Sequence, residues 1–269
     1  MTPSFDSARP VAATFSTVST VSTVSIVGAG RLGRVLARAL RAAGLVVHGP
    51  TGRGERIEPA DIVMLCVPDD AIADIAATVR GAGGLIGHTS GAIPLTDVDF
   101  GLHPLQTFVG DEGPDAFRGI GCAVAGRTAE ATDAAFALAT ALGAQPFVIT
   151  DEQRAAYHAA ASIASNYLVT LEAAAERIAG AAGLSPADAR ELLAPLVRRT
   201  VDNWAALGPE AALTGPVARG DSQTVARQRA AIADAAPDLL PLFDVLAEQT
   251  RALAERPSAA LTSPEAVLS

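Results

Sequence analysis

The sequence is poor in the residues that build metal sites, disulfide frameworks and membrane spans. Its 269 residues include two cysteines, one tryptophan and 4% aromatics. Cys66 and Cys122 stand far apart, no Cys-x-x-Cys occurs, and His48, His88, His103 and His158 are dispersed, so no metal site is expected. Cys66 lies in the apolar run Ile62–Val67 and reads as a small buried hydrophobe. No apolar run approaches the ~18 residues of a membrane span, although mean hydropathy is +0.31. The N-terminus lacks a basic region followed by a long apolar stretch, so no signal peptide is expected and a cytoplasmic location is the default. Basic runs are missing too. With a net charge of −9, the chain is not expected to take nucleic acid or a membrane surface as a main partner, and the scarce aromatics argue against a stacking platform for single strands. A small anionic ligand must instead be held by local positive groups. What remains is globular: 49% hydrophobic and 18% charged residues, in a length that suits one or two domains.

The strongest positive signal is Val24–Gly44. Val24–Val27 reads as a short buried strand, Gly28-Ala29-Gly30-Arg31-Leu32-Gly33 as G-x-G-x-x-G, and Val35, Leu36, Ala39, Leu40 and Ala43 recur at helical spacing before Gly44. In this context the first glycine serves a tight turn, the second lets backbone approach a pyrophosphate, and the third lets helix and strand pack closely. The helix N-terminus offers N–H groups and a positive dipole end to phosphates. The cofactor-binding set drawn from this turn is Gly28, Gly30, Arg31, Leu32 and Gly33. Counting ~20 residues on from Gly28, where a carboxylate usually marks a site for the unphosphorylated cofactor, reaches His48-Gly49-Pro50. Thr51 and Arg53 follow, a hydroxyl and a guanidinium suited to a 2′-phosphate, so the expected cofactor is NADP(H). Glu55 is the rival under a different loop register.

Read in order, residues 1–22 are Ser/Thr/Pro-rich and expected to be disordered. Leu45–His48 is a candidate strand, and Gly49–Glu55 reads as a loop by its Gly and Pro content. The strand Ile62–Val67 follows too soon to admit a helix and a third strand, so the Rossmann half is shortened. Asp69 or Asp70 suits the N-cap of a helix near Ala71–Val79. Strands are expected at Gly83–His88, Phe100–His103, Ile120–Ala125 and Gln145–Ile149, with a helix over Ala129–Leu142, which implies a parallel doubly wound sheet. Val67 and Pro68 end one strand, and Thr89 and Ser90 another; all four are placed at the cofactor. After Thr150 the strands stop. Thr150–Gln153 is a capping-box start for a long helix to about Ala179, and Ser185-Pro186 and Asp221–Thr224 start further helices. A last helix runs over about 237–256. The expected architecture is α/β: an NADP-binding Rossmann-like domain over 23–150, an all-α domain over 151–256, and a tail over 257–269.

These motifs converge on a family. Val24–Gly33, Leu65–Ile72, Gly101–Phe108, Tyr157–Leu168 and Leu213–Asp221 resemble the Rossmann-like proteins with a DUF2520 C-terminal domain. That group sits with the 6-phosphogluconate dehydrogenase-like, pyrroline-5-carboxylate reductase-like and ketopantoate reductase-like enzymes. The resemblance implies an N-terminal NADP-binding domain, a helical domain that often builds a homodimer, and an active site between them. Many members of the wider superfamily carry Lys-x-x-x-Asn on the first helix of the second domain; here those positions read Ser162 and Asn166.

Hydride transfer belongs to the nicotinamide, and the protein must orient it and stabilise charge on the carbonyl oxygen. His158, Ser162 and Asn166 fall at i, i+4 and i+8 on one helix face. His158 is the candidate proton donor in place of Lys, Ser162 a relay, and Asn166 the group that holds a substrate hydroxyl or carbonyl. A polar stripe satisfied by neighbouring helices is the alternative. His103, beyond a short strand, and Gln106 are candidate substrate contacts, and Arg219 can pair a substrate carboxylate. Asp221 reads as a helix cap. The function expected is an NADP(H)-dependent reductase of a small 2-oxo or imino acid; the alternative is a non-catalytic NADP-binding or metabolite-sensing protein.

Overall fold

The computed structural model describes residues 21–82 and 84–256. Most of the segment 1–22, the whole tail from 257, and Gly83 at the expected start of a strand lie outside the described residues. The chain divides into two compact units, Met1–Ser165 and Asn166–Ser269.

The first unit is built on one seven-stranded sheet. Its strands are β1 (Thr23–Val27), β2 (Val46–Thr51), β3 (Ile62–Leu65), β4 (Leu85–His88), β5 (Phe100–Pro104), β6 (Gly121–Gly126) and β7 (Gln145–Val148), in the spatial order β2-β1-β3-β4-β5-β6-β7. Three helices cover it: α1 (Arg31–Ala42), α2 (Ile72–Val79) and α3 (Ala129–Ala141). A fourth, α4 (Arg154–Ser162), closes the unit. The period of two along each strand sorts side chains to the two faces. Val24, Ile26, Ile62 and Met64 pack with α1 and α3, whereas Val27, Val63 and Leu65 pack with α2. Every residue of β3 is therefore buried, which is why Ile62–Leu65 reads as an unbroken apolar run. The shortened half is as the spacing implies: residues 52–61 join β2 to β3 with no helix and no extra strand.

Two expectations change. The strand expected to stop at His48 continues through Gly49 and Pro50 to Thr51, pairing in parallel with β1. Pairing outweighs local turn composition here, and Pro50 is tolerated because β2 is an edge strand. The sheet is also not wholly parallel. β5 and β6 are antiparallel, with Leu102 opposite Val124, while β6 and β7 are parallel to each other. No crossover helix separates β5 from β6, only a loop with a short 3-10 turn (Pro114–Phe117), so the chain returns in the opposite direction.

The second unit is helical among its described residues: α5 (Leu168–Gly180), α6 (Pro186–Leu207), the single turn α7 (Pro209–Ala212), α8 (Ser222–Ala235) and α9 (Leu240–Ala254). Ser185 caps α6 with Pro186 at its first position, and α6 continues through Pro195. Asp221 caps α8 by accepting from Thr224 N–H at 3.0 Å, as its position suggests. The ion pairs Arg190–Glu176, Arg177–Asp238 and Arg229–Asp244 join helices in the unit; all three are open to solvent, which screens them, so packing rather than charge holds these helices.

Candidate functional site

The glycine turn lies between β1 and α1, at the C-terminal edge of the parallel strands. Gly28 has φ +110, a conformation that side chains avoid, and a methyl on it would drive into the Cys66 carbonyl at the end of β3. A methyl on Gly33 would collide with the Gly28 carbonyl oxygen and lie 3.3 Å from Cys66 Cβ, so this glycine lets α1 seat on the sheet. Gly30 differs from both. A methyl there would meet nothing within 4 Å. It is the N-cap of α1, and no side chain caps that end, so the first-turn N–H groups remain available to an anion in the open space.

Cationic groups flank the turn. Arg31 and Arg34 are exposed on the first turn of α1, and Leu32 turns partly into the core. Thr51 ends β2 beside the turn, where its carbonyl accepts from Gly28 N–H at 2.9 Å. Its hydroxyl donates to the Ile26 carbonyl at 2.9 Å, so its one proton is engaged in the sheet. Arg53, two residues on, is exposed and has no ion pair among the described residues. Glu55 is held locally, accepting from Gly52 N–H at 2.6 Å. Val67 touches the space above Gly28, and Pro68 is exposed after it. Neither Asp69 nor Asp70 caps the helix that follows; a 3-10 turn, Asp69–Ala71, begins at Pro68 without a side-chain cap.

A second cluster forms where β4 and β5 end against α4. His88, at the end of β4, is fully buried and accepts from Ser90 N–H on Nδ1 at 3.2 Å. Thr89 and Ser90 are buried with their hydroxyls bound in the loop: Thr89 donates to the Leu65 carbonyl, and Ser90 Oγ accepts from Ala92 and Ile93. His103 on β5 packs its ring against Gly91, where a methyl would lie 2.9–3.0 Å from ring atoms. Its Nδ1 is 2.6 Å from the Tyr157 hydroxyl on α4. The His158 ring stands 6.2 Å from that of His103, edge to face. Below them lies Arg154, its side chain 2% exposed, with Nε bound to Asp151 Oδ1 at 2.6 Å. Arg154 Nη2 and His88 Nε2 are both buried without a hydrogen-bond partner, and both groups converge on Gly101, where a methyl would lie 2.9 Å from Nη2 and 3.3 Å from His88 Cε1.

Electrostatics follow from this packing. Burial pushes His103 down to about 4, and the neighbouring His158 and Arg154 add to the effect. His88 is likewise held at about 4, by burial and then by Arg154, with the Pro94 carbonyl pulling the other way. Burial pushes the Tyr157 phenol up to about 12. Burial also raises the Asp151 carboxyl, but hydrogen bonds from Arg154 and Leu95 N–H more than offset it and leave the group lowered. At neutral pH the cluster thus presents two neutral imidazoles, a protonated phenol and a buried guanidinium paired to a carboxylate.

Tyr157, Arg154 and Asp151 are the residues that sequence reasoning missed as parts of this cluster. Asp151 reads from sequence only as part of the capping box, which does form at Thr150 and Gln153. No local signal links Tyr157 to His103, 54 residues away.

The helix expected to run unbroken to about Ala179 is not regular. A π-helical turn, Ile163–Tyr167, separates α4 from α5. The i, i+4, i+8 count that lines up His158, Ser162 and Asn166 assumes α-helical phase throughout and does not hold past Ser162. His158 and Ser162 are half-buried in the first unit; Asn166 is exposed in the π turn and opens the second unit. Gln106 is exposed after β5 and lines a cavity of about 340 Å³ with Phe108 and Glu112. Arg219 is exposed in the second unit, in the turn before α8. Among the described residues no group of three His, Cys, Asp or Glu side chains is placed to hold a metal ion, and no helix is long and apolar enough to cross a membrane.

Residues 120–250 match the family model described as a domain of unknown function, DUF2520. The chain thus joins a Rossmann-like sheet to a region, just under half of its length, that matches DUF2520. The DUF2520 match begins at the antiparallel strand β6 and so takes in β6, α3 and β7 as well as the helices. No curated protein matches the chain. Among solved structures, a candidate NADP oxidoreductase from Bacteroides fragilis is 23% identical with a TM-score of 0.73, over 86% of this chain and 98% of its own. A protein from Thermotoga maritima is 25% identical with a TM-score of 0.70, over the same shares. Pyrroline carboxylate reductase from Plasmodium falciparum, solved with NADP bound, is 10% identical with a TM-score of 0.53, over 88% of this chain and all of its own. These likenesses carry the fold alone.

Proposed function

We propose that the chain is an NADP(H)-dependent oxidoreductase that reduces a small 2-oxo or imino acid. The observation that carries this reading is the open, uncapped α1 N-terminus at Gly30, flanked by Arg31, Arg34 and Arg53. The residues fit the cofactor: first-turn N–H groups for the pyrophosphate, and Arg53 for a 2′-phosphate. The structural neighbours from Bacteroides and Plasmodium, one named as a candidate NADP oxidoreductase and one solved with NADP, support the same class.

When bound, the nicotinamide supplies the hydride. The protein must then give a proton to the oxygen or nitrogen that gains charge. The sequence contains no lysine anywhere, so no other position can replace the superfamily Lys. His158 takes that role in the proposal, with Ser162 one helical turn on as a relay. Purified protein with NADPH and ketopantoate, followed by a panel of other 2-oxo acids and cyclic imines, should show loss of nicotinamide absorbance. His158→Ala should lower kcat by about 100-fold or more while leaving the Kd for NADPH unchanged. Unchanged kcat removes His158 from the mechanism. The missing Lys favours one second reading, a cofactor-binding sensor: tight NADP(H) binding with no turnover across the panel would select it, and no binding at all would sink both.

A further inference from the structure

We infer that Tyr157 is a positioning residue that fixes His103 in the tautomer with its proton on Nε2, so that His103 presents an N–H donor to the substrate carbonyl oxygen. The substrate role rests on the oxidoreductase reading; the tautomer does not.

Geometry decides the direction of the hydrogen bond. The Tyr157 hydroxyl and His103 Nδ1 are 2.6 Å apart, and either could donate. Among the described residues the Tyr157 oxygen has no other side-chain or backbone partner. If Nδ1 carried the proton, the phenolic O–H would have no protein acceptor among the described residues, in a half-buried place between Phe147 and His103. If Tyr157 donates, both groups are satisfied and the imidazole proton moves to Nε2. The hydrogen bond made by one ring nitrogen sets the state of the other. The phenol, held protonated by burial, suits the donor role, and the imidazole, held neutral, suits the acceptor role.

His103 is half-buried, and its Nε2 has no protein partner among the described residues, which leaves that nitrogen for a ligand. The ring has little freedom to rotate, because Gly91 lies against it and Tyr157 meets it edge-on with centroids 5.5 Å apart. Arg154 lies behind this pair, fixed to Asp151. Burial above all, with His158 and Arg154 adding to it, disfavours a positive charge on His103, so protonation does not erase the tautomer at neutral pH. A neutral imidazole N–H is a fixed dipole aimed at an oxygen that becomes negative as hydride arrives, which is the kind of donor that favours the transition state over the ground state. His158, 6.2 Å away, is then left for the proton itself. The two histidines divide the task, one polarising and one protonating.

The test reads the ring nitrogens directly. In 15N-labelled full-length protein near pH 7.5, a long-range proton–nitrogen spectrum of the His103 ring should show Nδ1 unprotonated and Nε2 protonated. Tyr157→Phe keeps the ring against Phe147 and removes only the hydroxyl; His103 should then shift to a mixture of tautomers. A His103 that carries its proton on Nδ1 in the wild type, or ring signals unmoved by Tyr157→Phe, overturns the inference. These spectra need neither cofactor nor turnover, so failure of the oxidoreductase reading is seen separately, as inactivity with an intact Nε2–H tautomer. Where turnover with NADPH is found, Tyr157→Phe should lower kcat about tenfold and leave the KM for NADPH unchanged, as expected for one weakened hydrogen bond. His103→Gln, which retains an N–H donor, should keep more of kcat than His103→Leu; equal losses would overturn the donor role.

Discussion

Replacing the second and third glycines of the turn one at a time separates cofactor binding from folding. At Gly33 a methyl overlaps the Gly28 carbonyl by more than about 1 Å, and its other neighbour is Cys66 Cβ, so this densely packed seam has no flexible side-chain end to yield. Gly33→Ala should therefore cost about 3 kcal/mol or more, the upper range of overpacking. In a unit of this size that lowers the unfolding midpoint by about 10 °C. At Gly30 a methyl meets nothing within 4 Å, and the backbone, at φ −70 and ψ −173, is one that alanine adopts freely. The slightly poorer N-cap and the stiffer unfolded chain nearly cancel, so Gly30→Ala should stay within about 1 kcal/mol of wild type. Its methyl would stand where the pyrophosphate must approach the α1 N–H groups. Losing one such charge-assisted bond costs about 1.5–3 kcal/mol, which weakens NADP(H) binding by about 10- to 100-fold. Thermal unfolding by circular dichroism and NADPH titration by calorimetry on the two variants give four numbers. Wild-type affinity in a stable Gly30→Ala protein would refute the placement of the pyrophosphate, and a wild-type melting point for Gly33→Ala would refute the tight seam.

Other outcomes follow from named groups. Arg53→Ala should raise the Kd for NADPH about tenfold or more and leave NADH nearly unchanged, whereas Thr51→Val should not alter that ratio, because the Thr51 hydroxyl already donates within the sheet; equal losses for both cofactors with Arg53→Ala would discard Arg53 as the 2′-phosphate partner. His88 and His103 are held at about 4, below the ordinary value of 6.5, so the unfolded chain takes up protons first as pH falls. Their stabilising effect is complete above pH 6.5 and is lost between 6.5 and 4, by up to about 3 kcal/mol for each histidine, so urea unfolding that is flat with pH over this window would contradict the buried neutral imidazoles. α6 exposes Leu192, Leu196, Trp204 and Leu207, and the expected homodimer through the helical unit should become monomeric with Leu196→Arg at unchanged helix content; light scattering that shows a monomeric wild type would end that expectation.

Much of the fold was legible because its signals are local. The G-x-G-x-x-G between a strand and a helix, the all-apolar β3, the capping box at Thr150 and the Asp221 cap each depend on neighbours within a few residues. The misread parts depend on distant partners. Gly49-Pro50 resembles a loop until β1 supplies a strand for it to pair with. The reversal of β6 depends on where the chain after Pro104 returns, which no residue in that loop encodes by itself. The site divides the same way. Gly28, Gly30, Gly33 and Arg53 are proposed for the site by counting, and His103 by its place after a strand. The bond from Tyr157 to His103 and the Arg154–Gly101 contact arise from packing α4 against strand ends, and the π turn at Ile163–Tyr167 leaves no compositional mark.

The order of the strands leaves two edges, β2 and β7, and each carries a proline, Pro50 and Pro146. Proline has no N–H to offer to a further strand, so neither border is a free template for another chain to extend the ladder. That protection matters most at β7, where Phe147 and Val148 are exposed apolar residues flanking the proline. A chain with this much valine and alanine in its strands would otherwise present an adhesive border each time it is synthesised. The two prolines leave neither edge of the seven-stranded sheet a ready template for an eighth strand.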